Sequence, residues 1–541
     1  MKKATTTLFF LAGGLDGSLA YQNDHSAVAP TLSVWPQPSQ MAPAQSVPSW
    51  EIDQLALDYS GTSALVTDAF SRFEKAVGAP KKVLGKNKMH VVVTVAEEGV
   101  TSLGLHTDES YTLEVAQPNA TITAPTAFGA MHALQTLSQI VDPGHGGLAA
   151  KPATLQWEVT INDAPRFAHR GIMLDTSRNF MELSALRRTL DAMAMNKLNV
   201  LHWHVSDAQS FPFESQAYPE LSLHGAYDKG RVYDAAAVKA LLAYARARGV
   251  RVIPEFDMPG HAWKGFAGWA QEHNEREITV CGGHEPWGEM CAEPPCGQLD
   301  PTNNFTYTVV EALWKDVADA FGDEQFVHVG GDEVNAACWN SSASIRAWMT
   351  SNGLPPADRD SFTSLWGIFQ DRLDAIITAP AGKTGGGLGK TMIKWDDSFL
   401  AGQAGSKDTV IQVRHRLDTR LLLAFSFFCL LSTHSLTLTR FHSPCFSTCY
   451  LSSGVARDGH ADEGGAGGPP RGAVELRQAL PRLRHGQLDH GWRLVVRAVQ
   501  ELAGRVGQRA ARGPHADEGR AGAGAGRRGC AVGRVHRRHE H

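Results

Sequence analysis

The chain has 541 residues, enough for two or three domains rather than one. Apolar residues make up 43% and charged residues 20%, proportions ordinary for a soluble globular protein and out of keeping with a chain disordered throughout. The net charge of −5 argues neither for nor against an anionic partner, and it averages two dissimilar parts, since no lysine follows Lys407.

The chain opens MKKATTTLFFLAGGLDGSLA. Lys2 and Lys3 precede a short apolar run (8–12), and small residues lead to Ala20. This fits a signal peptide over 1–20, although Asp16 and the glycines interrupt its apolar part, and it is too short to span a membrane. Asn-x-Ser/Thr sequons at Asn119, Asn304 and Asn340 add modest support for a secreted glycoprotein.

From 32 to 161 the pattern predicts a small α/β domain. MHVVVTV (89–95) and YTLEV (111–115) read as strands, and 121–123 as a shorter one. TAFGAMHALQTLSQI (126–140) reads as a helix, with Phe128, Met131, Leu134, Leu137 and Ile140 spaced by three. Nothing in this stretch has catalytic spacing, and its expected task is to brace the domain that follows.

Pro165 marks the boundary. Over 166–413 strand, loop and helix alternate, which implies parallel strands joined by crossover helices. The expected strands are GIMLD (171–175), LNVLHWHV (198–205), VRVIPEF (250–256), FVHVGGDEV (326–334), MIKW (392–395) and TVIQV (409–413). Leu183, Leu186, Leu190 and Met193 give the first helix its apolar face, and Val238, Leu241, Leu242 and Ala245 the next, capped by Gly249. The fold class is thus α/β, a (β/α)8 barrel that is two strands short at its C-terminal side, preceded by the small α/β domain.

FVHVGGDEV carries the clearest chemistry. Phe326, Val327 and Val329 read as a buried strand, and Gly330 and Gly331 allow the backbone to bend. Asp332 and Glu333 then fall at the C-terminal end of a barrel strand, where barrels do their chemistry. Neighbouring side chains on an ideal strand point to opposite faces, so both acids serve one site only if the strand has begun to turn. The bland alternative is a solvated acidic turn after a core strand, and the four residues GGDE do not by themselves separate the two.

HVGGDEV (328–334) resembles the signature of the family 20 glycoside hydrolases, the β-N-acetylhexosaminidases. RGIMLDTSRN (170–179), KLNVLHWHVSD (197–207) and IPEFDMPGH (253–261) extend the resemblance over roughly 32–413. It implies hydrolysis of terminal β-linked N-acetylglucosamine or N-acetylgalactosamine. In that scheme Glu333 protonates the glycosidic oxygen and later activates water, so burial is expected to raise its pKa. The substrate's acetamido oxygen attacks the anomeric carbon, and Asp332 accepts the acetamido N–H. The resemblance further implies that Arg170 holds ring hydroxyls, Asp207 binds another, His261 orients the acid and Trp395, in IKWDDSF, walls the pocket. By their types alone, Arg170 could instead pair with a barrel acid, and Trp395 could be core.

Three other readings are weighed against this one. His202-Trp203-His204 could hold zinc at a strand end, as in barrel metallohydrolases, with His261 as a distant third ligand. No later strand supplies the aspartate such a site needs, and second-shell hydrogen bonding is the plainer role. Gly385 to Thr391 ends like a phosphate-binding loop, but the spacing puts Thr384 where the first glycine belongs. Cys281, Cys291, Cys296 and Cys338 could make two disulfides or a zinc knot, though their spacing matches no common zinc pattern. The resemblance implies Cys281–Cys338 and Cys291–Cys296. Expected partners are a glycan and, as an assembly, a homodimer. No cofactor, metal, nucleic acid or stable membrane span is expected, and the expected location is the secretory pathway, leading to a lysosome or vacuole or outside the cell.

After Val413 the character changes. Arg414 stands where the related enzymes carry tryptophan, and 414–541 lacks apolar periodicity. The apolar run LLLAFSFFCLL (421–431) is far shorter than the ~20 residues of a membrane span. FHSPCFSTCYLSS (441–453) is rich in residues with pyrimidine-rich codons, as in the tract before a splice acceptor, and 522–541 resembles an out-of-frame reading of the eighth-strand motif of these enzymes. The tail therefore reads as a retained intron followed by a frameshift, leaving either a glycosidase or an impaired sugar-binding relative. Its arginines are interspersed with acids and nearly without aromatics, unlike a nucleic-acid-binding extension. Transcript sequencing should recover a form lacking the codons for 414–453; if no read spans that junction, the retained-intron account is wrong.

Overall fold

The computed structural model describes residues 31–78, 86–144, 152–380, 387–403, 405–414 and 449–451. The expected leader over 1–20, the glycines at 385 and 386 and the apolar run at 421–431 lie outside these residues. Contacts group the described residues into two units. One holds those up to His204 together with Tyr233–Pro254 and Asp319–Glu324, and the other holds Val205–Val232, Glu255–Ala318 and those from Gln325 onward.

The first unit begins with a mixed sheet. Its main strands are β1 (Gln45–Ile52), β2 (Gln54–Tyr59), β3 (Lys88–Val95), β4 (Tyr111–Ala116), β5 (Asn119–Ala124) and β6 (Ala153–Asp163), in the order β6-β4-β5-β3-β2, with β1 also against β6. Two helices pack on it, α1 (Ala64–Val77) and α2 (Ala127–Ile140). In α2 eleven of fourteen residues are buried, so the spacing-of-three reading named only part of its apolar surface. Gly129 is required there, because a Cβ would come within 2.1 Å of the Ser110 carbonyl oxygen. The flanking strands β1, β2 and β6 were not legible as strands, since each mixes polar and apolar residues with partial exposure.

The same unit continues into β7 (Gly171–Asp175), α3 (Leu183–Met195), β8 (Val200–Ser206) and α4 (Ala235–Arg246). β7 and β8 run parallel, Val200 opposite Gly171 and His204 opposite Asp175. Leu186, Leu190 and Met193 of α3 and Val238, Leu241 and Ala245 of α4 are buried as the periodicity requires. Ala247 caps α4, and Gly249 adopts the left-handed conformation (φ +67°) two residues past it, rather than serving as the cap.

A buried ionic cluster ties the sheet domain to the start of β7. Arg170 forks onto Glu109, with Nη1 to Oε1 at 3.1 Å and Nη2 to Oε2 at 2.6 Å. Glu109 also meets His132 at 2.8 Å and accepts from Asn199 at 2.9 Å. Burial would raise the Glu109 carboxyl, but the hydrogen bonds and charges of His132 and Arg170 outweigh it and hold it down at about 2. Arg170, expected from the resemblance to hold ring hydroxyls, instead has its guanidinium paired with Glu109. It precedes the first residue of its strand, the end opposite the C-terminal one, and its fork is engaged by a carboxylate from the sheet domain rather than from the barrel.

In the second unit, the end of β9 (Arg251–Phe256) pairs parallel with β10 (Phe326–His328), Glu255 opposite His328. β10 pairs with β11 (Thr391–Trp395), and β11 with β12 (Val410–Val413), all parallel. A short strand β13 (Cys449–Leu451) adds antiparallel to β12, which the sequence did not predict. The complete order is β13-β12-β11-β10-β9-β8-β7, so the described residues supply six parallel strands of a (β/α)8-type sheet. Cys281–Cys338 and Cys291–Cys296 are disulfide-bonded, which excludes a zinc knot. Among the described residues no helix is long and apolar enough to cross a membrane.

Arg170→Met should strand a buried carboxylate and lower unfolding free energy by about 3–5 kcal/mol in urea titration. A loss under about 0.5 kcal/mol would mean the cluster is dispensable.

Candidate active site

The strand carrying the acid pair is short. β10 stops at His328, and the backbone then turns left-handed at Gly330 (φ +65°), Gly331 (φ +85°) and Glu333 (φ +55°). This departure from extended geometry lets neighbouring acids share one site, as the sequence required of a functional pair. A carboxylate fastens the turn, because Asp257 Oδ1 accepts the Gly331 N–H at 2.9 Å. No side chain fits at Gly330, where a Cβ would lie 1.9 Å from that same oxygen.

Asp332 is deeply set, its side chain 6% exposed, while Glu333 is 33% exposed. Glu333 thus departs from the burial expected of it. His261 stands between them and Asp207. Its Nδ1 is 3.2 Å from Asp207 Oδ1, and its Nε2 is 3.2 Å from Glu333 Oε2 and 3.8 Å from Asp332 Oδ1. Burial would push the imidazole down, but the charges of Asp207 and Asp257 and hydrogen bonds with Asp207 and Glu333 raise it well above the ordinary histidine value. The shift favours the protonated form of His261, which lies within 3.2 Å of both Asp207 and Glu333. Asp257 is raised well above the usual carboxylate range, first by burial and then by the charge of Asp332.

Trp395 ends β11 with its indole N–H donated to Glu255 Oε1 at 2.9 Å and its ring centre 4.8 Å from that of His328. Arg414 lies over the same ring, its guanidinium carbon 5.4 Å from the centre. The structure thus brings Asp207, His261, Asp332, Glu333 and Trp395 together in one unit. Arg170 is not among them. Sequence reasoning missed Asp257 and Glu255, although both lie in the EFDMPGH stretch at a strand's C-terminal end. It treated Arg414 only as a departure from pattern. On β7 the arginine past the C-terminal end is Arg178, which meets Asp175 at 2.9 Å and His204 Nε2 at 3.1 Å.

Asp257, His261 and Asp332 have the composition of a metal site. Both His261 nitrogens there already face carboxylates, Asp207 on Nδ1 and Glu333 on Nε2. The zinc reading of His202 and His204 meets a similar objection, since Arg178 donates to His204 Nε2 and occupies that lone pair.

One oxygen in the cluster has no role within the fold. Asp332 Oδ1 is buried and has no hydrogen-bond partner among the described residues. Native proteins seldom leave such an atom unsatisfied without a function for it.

Acids at the C-terminal ends of parallel strands in a (β/α)8-type sheet lie where barrel enzymes carry their chemistry. The comparisons specify it further. A model described as "Glycosyl hydrolase family 20, catalytic domain" matches residues 167–424, and one described as "beta-acetyl hexosaminidase like" matches 34–140. The mouse protein "Beta-hexosaminidase subunit beta" is 35% identical over 398 residues, 71% of this chain and 69% of that protein. The chain belongs to glycosyl hydrolase family 20. "Chitooligosaccharidolytic beta-N-acetylglucosaminidase" of Ostrinia furnacalis is 38% identical over 356 residues, 63% of this chain. The chain spans 58% of the length of that relative and 51% of its Bombyx mori counterpart. A solved GH20 exo-β-N-acetylglucosaminidase from Vibrio harveyi, in complex with N-acetylglucosamine, shares the fold at a TM-score of 0.56. The identity is 22%, over 73% of this chain and 59% of that one.

Gly330→Ala should lower the melting temperature more than Gly331→Ala. Both force an unfavourable left-handed alanine, but only the first collides with Asp257, whereas the nearest atom to a Cβ at 331 is 3.5 Å away. Equal shifts would mean the Asp257 contact does not fix the turn.

Proposed function

We propose that this chain hydrolyses terminal, non-reducing β-linked N-acetylhexosamine residues with retention of configuration, the substrate's acetamido group serving as nucleophile. The observation that carries the reading is the buried Asp332 Oδ1, which accepts no hydrogen bond among the described residues, beside the more exposed Glu333. A buried acceptor suits an N–H that arrives with the substrate. A partly exposed carboxylate suits a group that must meet a leaving oxygen and then a water molecule.

In the first step the acetamido oxygen attacks the anomeric carbon, and the glycosidic bond breaks with its electron pair going to the leaving oxygen. Glu333 is the proton donor to that oxygen. Asp332 accepts the acetamido N–H and offsets the positive charge of the oxazolinium intermediate. In the second step water adds to the anomeric carbon, its proton passes to Glu333, and the acetamido carbonyl re-forms. Asp207 and His261 hold Glu333 in place. Trp395 offers an aromatic face to the sugar. The two disulfides favour an oxidising, secretory compartment.

A second reading, an enzyme of reduced power, is favoured by Arg414, whose guanidinium lies 2.6 Å from Asp332 Oδ2 and 3.3 Å from Glu333 Oε1.

On 4-nitrophenyl N-acetyl-β-glucosaminide, Glu333→Gln should lower kcat by about 10³-fold and Asp332→Asn by about 10²-fold. Near-normal turnover by Glu333→Gln would refute the assignment.

A further inference from the structure

Arg414 follows β12 directly and is held at both ends. Its backbone N–H donates to Asp396 Oδ1 at 3.3 Å. Its side chain divides its donors: Nη1 serves Asp332, while Nη2 lies between Glu333 Oε1 at 3.3 Å and Asp397 Oδ2 at 3.5 Å. The hold on Glu333 therefore does not depend on the hold on Asp332. Asp332 Oδ1 stays open to a substrate N–H while Oδ2 is taken. A guanidinium keeps its proton throughout the working range, so the charge is permanent. Burial opposes that charge, but Asp332, Asp397, Glu333 and Asp257 outweigh it.

Glu333 thus faces two cations, Arg414 on Oε1 and the His261 imidazolium on Oε2. Both contacts stabilise its ionised form. The two halves of the reaction make opposite demands on it. When the glycosidic bond breaks, the leaving oxygen takes the electron pair and either receives a proton from Glu333 or departs as an anion. When water adds, Glu333 must be a carboxylate to take the proton. Arg414 therefore favours the second half and starves the first.

We propose that Arg414 determines which glycosides this chain cleaves, selecting those whose leaving group departs as a stable anion, such as aryl N-acetylhexosaminides of acidic phenols, over those whose leaving group is another sugar. With an acidic phenol, the acetamido oxygen displaces phenoxide, which takes its proton from water and leaves hydroxide; a second water then opens the oxazolinium ring and gives its proton to Glu333, which passes it to that hydroxide and returns to the carboxylate. The balance is one glycoside and one water to one sugar and one phenol. With a sugar leaving group the anion is too basic, and the step waits on a proton from a Glu333 whose two oxygens already face Arg414 and His261. This inference rests on the functional reading above.

The test uses the full chain and its Arg414→Gln and Arg414→Lys variants, with aryl N-acetyl-β-glucosaminides from 2,4-dinitrophenyl to unsubstituted phenyl, and with N,N′-diacetylchitobiose. The wild type should slow steeply as the phenol becomes less acidic. Arg414→Gln should lose rate on the dinitrophenyl compound, where the second half limits, and should gain about 10²-fold on the chitobiose, with an unchanged far-UV circular dichroism spectrum reporting that it folds. Arg414→Lys keeps the charge but not the fork, and should fall between the two. A leaving-group dependence equal in all three proteins overturns the inference and leaves the functional reading standing. Failure of every protein to hydrolyse any of these glycosides refutes the functional reading and this inference together.

Discussion

The candidate site depends on one hydrogen bond, from the Gly331 N–H to the buried Asp257 carboxylate. It reaches from the loop after β9 to the loop after β10 and fixes the chain where it leaves extended geometry. Without that turn, Asp332 and Glu333 would alternate across the strand, one in the site and the other outside it. With it, Asp332 lies deep and Glu333 lies nearer solvent, a division of labour between two acids that adjacent positions on a strand could not give. The same contact explains why Gly330 cannot carry a side chain, since the space is filled by the carboxylate that holds the turn.

Five of the six residues named from the sequence as site residues come together, although the sequence supported their roles mainly through resemblance. The barrel strands were legible because parallel strands buried on both faces are continuous apolar runs. β8, for example, is buried at every position. The failures have physical causes. Arg170 and Arg178 lie in one motif, RGIMLDTSRN, but at opposite ends of β7, which the motif alone does not reveal. β10 was read as longer than it is, because Val329 continues the apolar pattern and still donates its N–H to Ile393 while the strand itself has ended. β1 and β6 alternate too weakly to be seen. Arg414 was visible as an oddity, but its position beside the acids depends on β12 and α5 (Asp396–Leu400), which no local pattern encodes.

The strands at the two ends of the sheet order differ in how their edges are treated. β7 pairs only with β8 among the described residues, and it is the least buried of the parallel strands, with Met173 46% exposed. An unpaired strand with an exposed apolar side chain invites pairing with another chain. β12, in contrast, is buried throughout and has β13 along its far side. The described part of the tail is thus a strand in the sheet, and its antiparallel direction sets it apart from the parallel seventh strand that a (β/α)8 barrel would place there.

Charge explains why an arginine can lodge in this site at all. Asp207, Asp257, Asp332 and Glu333 crowd around His261, and Asp397 adds a further carboxylate near Arg414. Carboxylates so close cannot all ionise without counter-charge. The cluster meets the problem in three ways: Asp257 is pushed toward its neutral form, His261 is held protonated, and Arg414 supplies a charge that no change of pH removes. Of these, the first two adjust to whatever binds, because a proton can move. The third cannot, and so it would bear unequally on the proposed reaction, in which Glu333 acts first as an acid and then as a base. A tryptophan at the same position, as the family resemblance implies for related enzymes, would have left that exchange of roles to the substrate, the water and the acid itself.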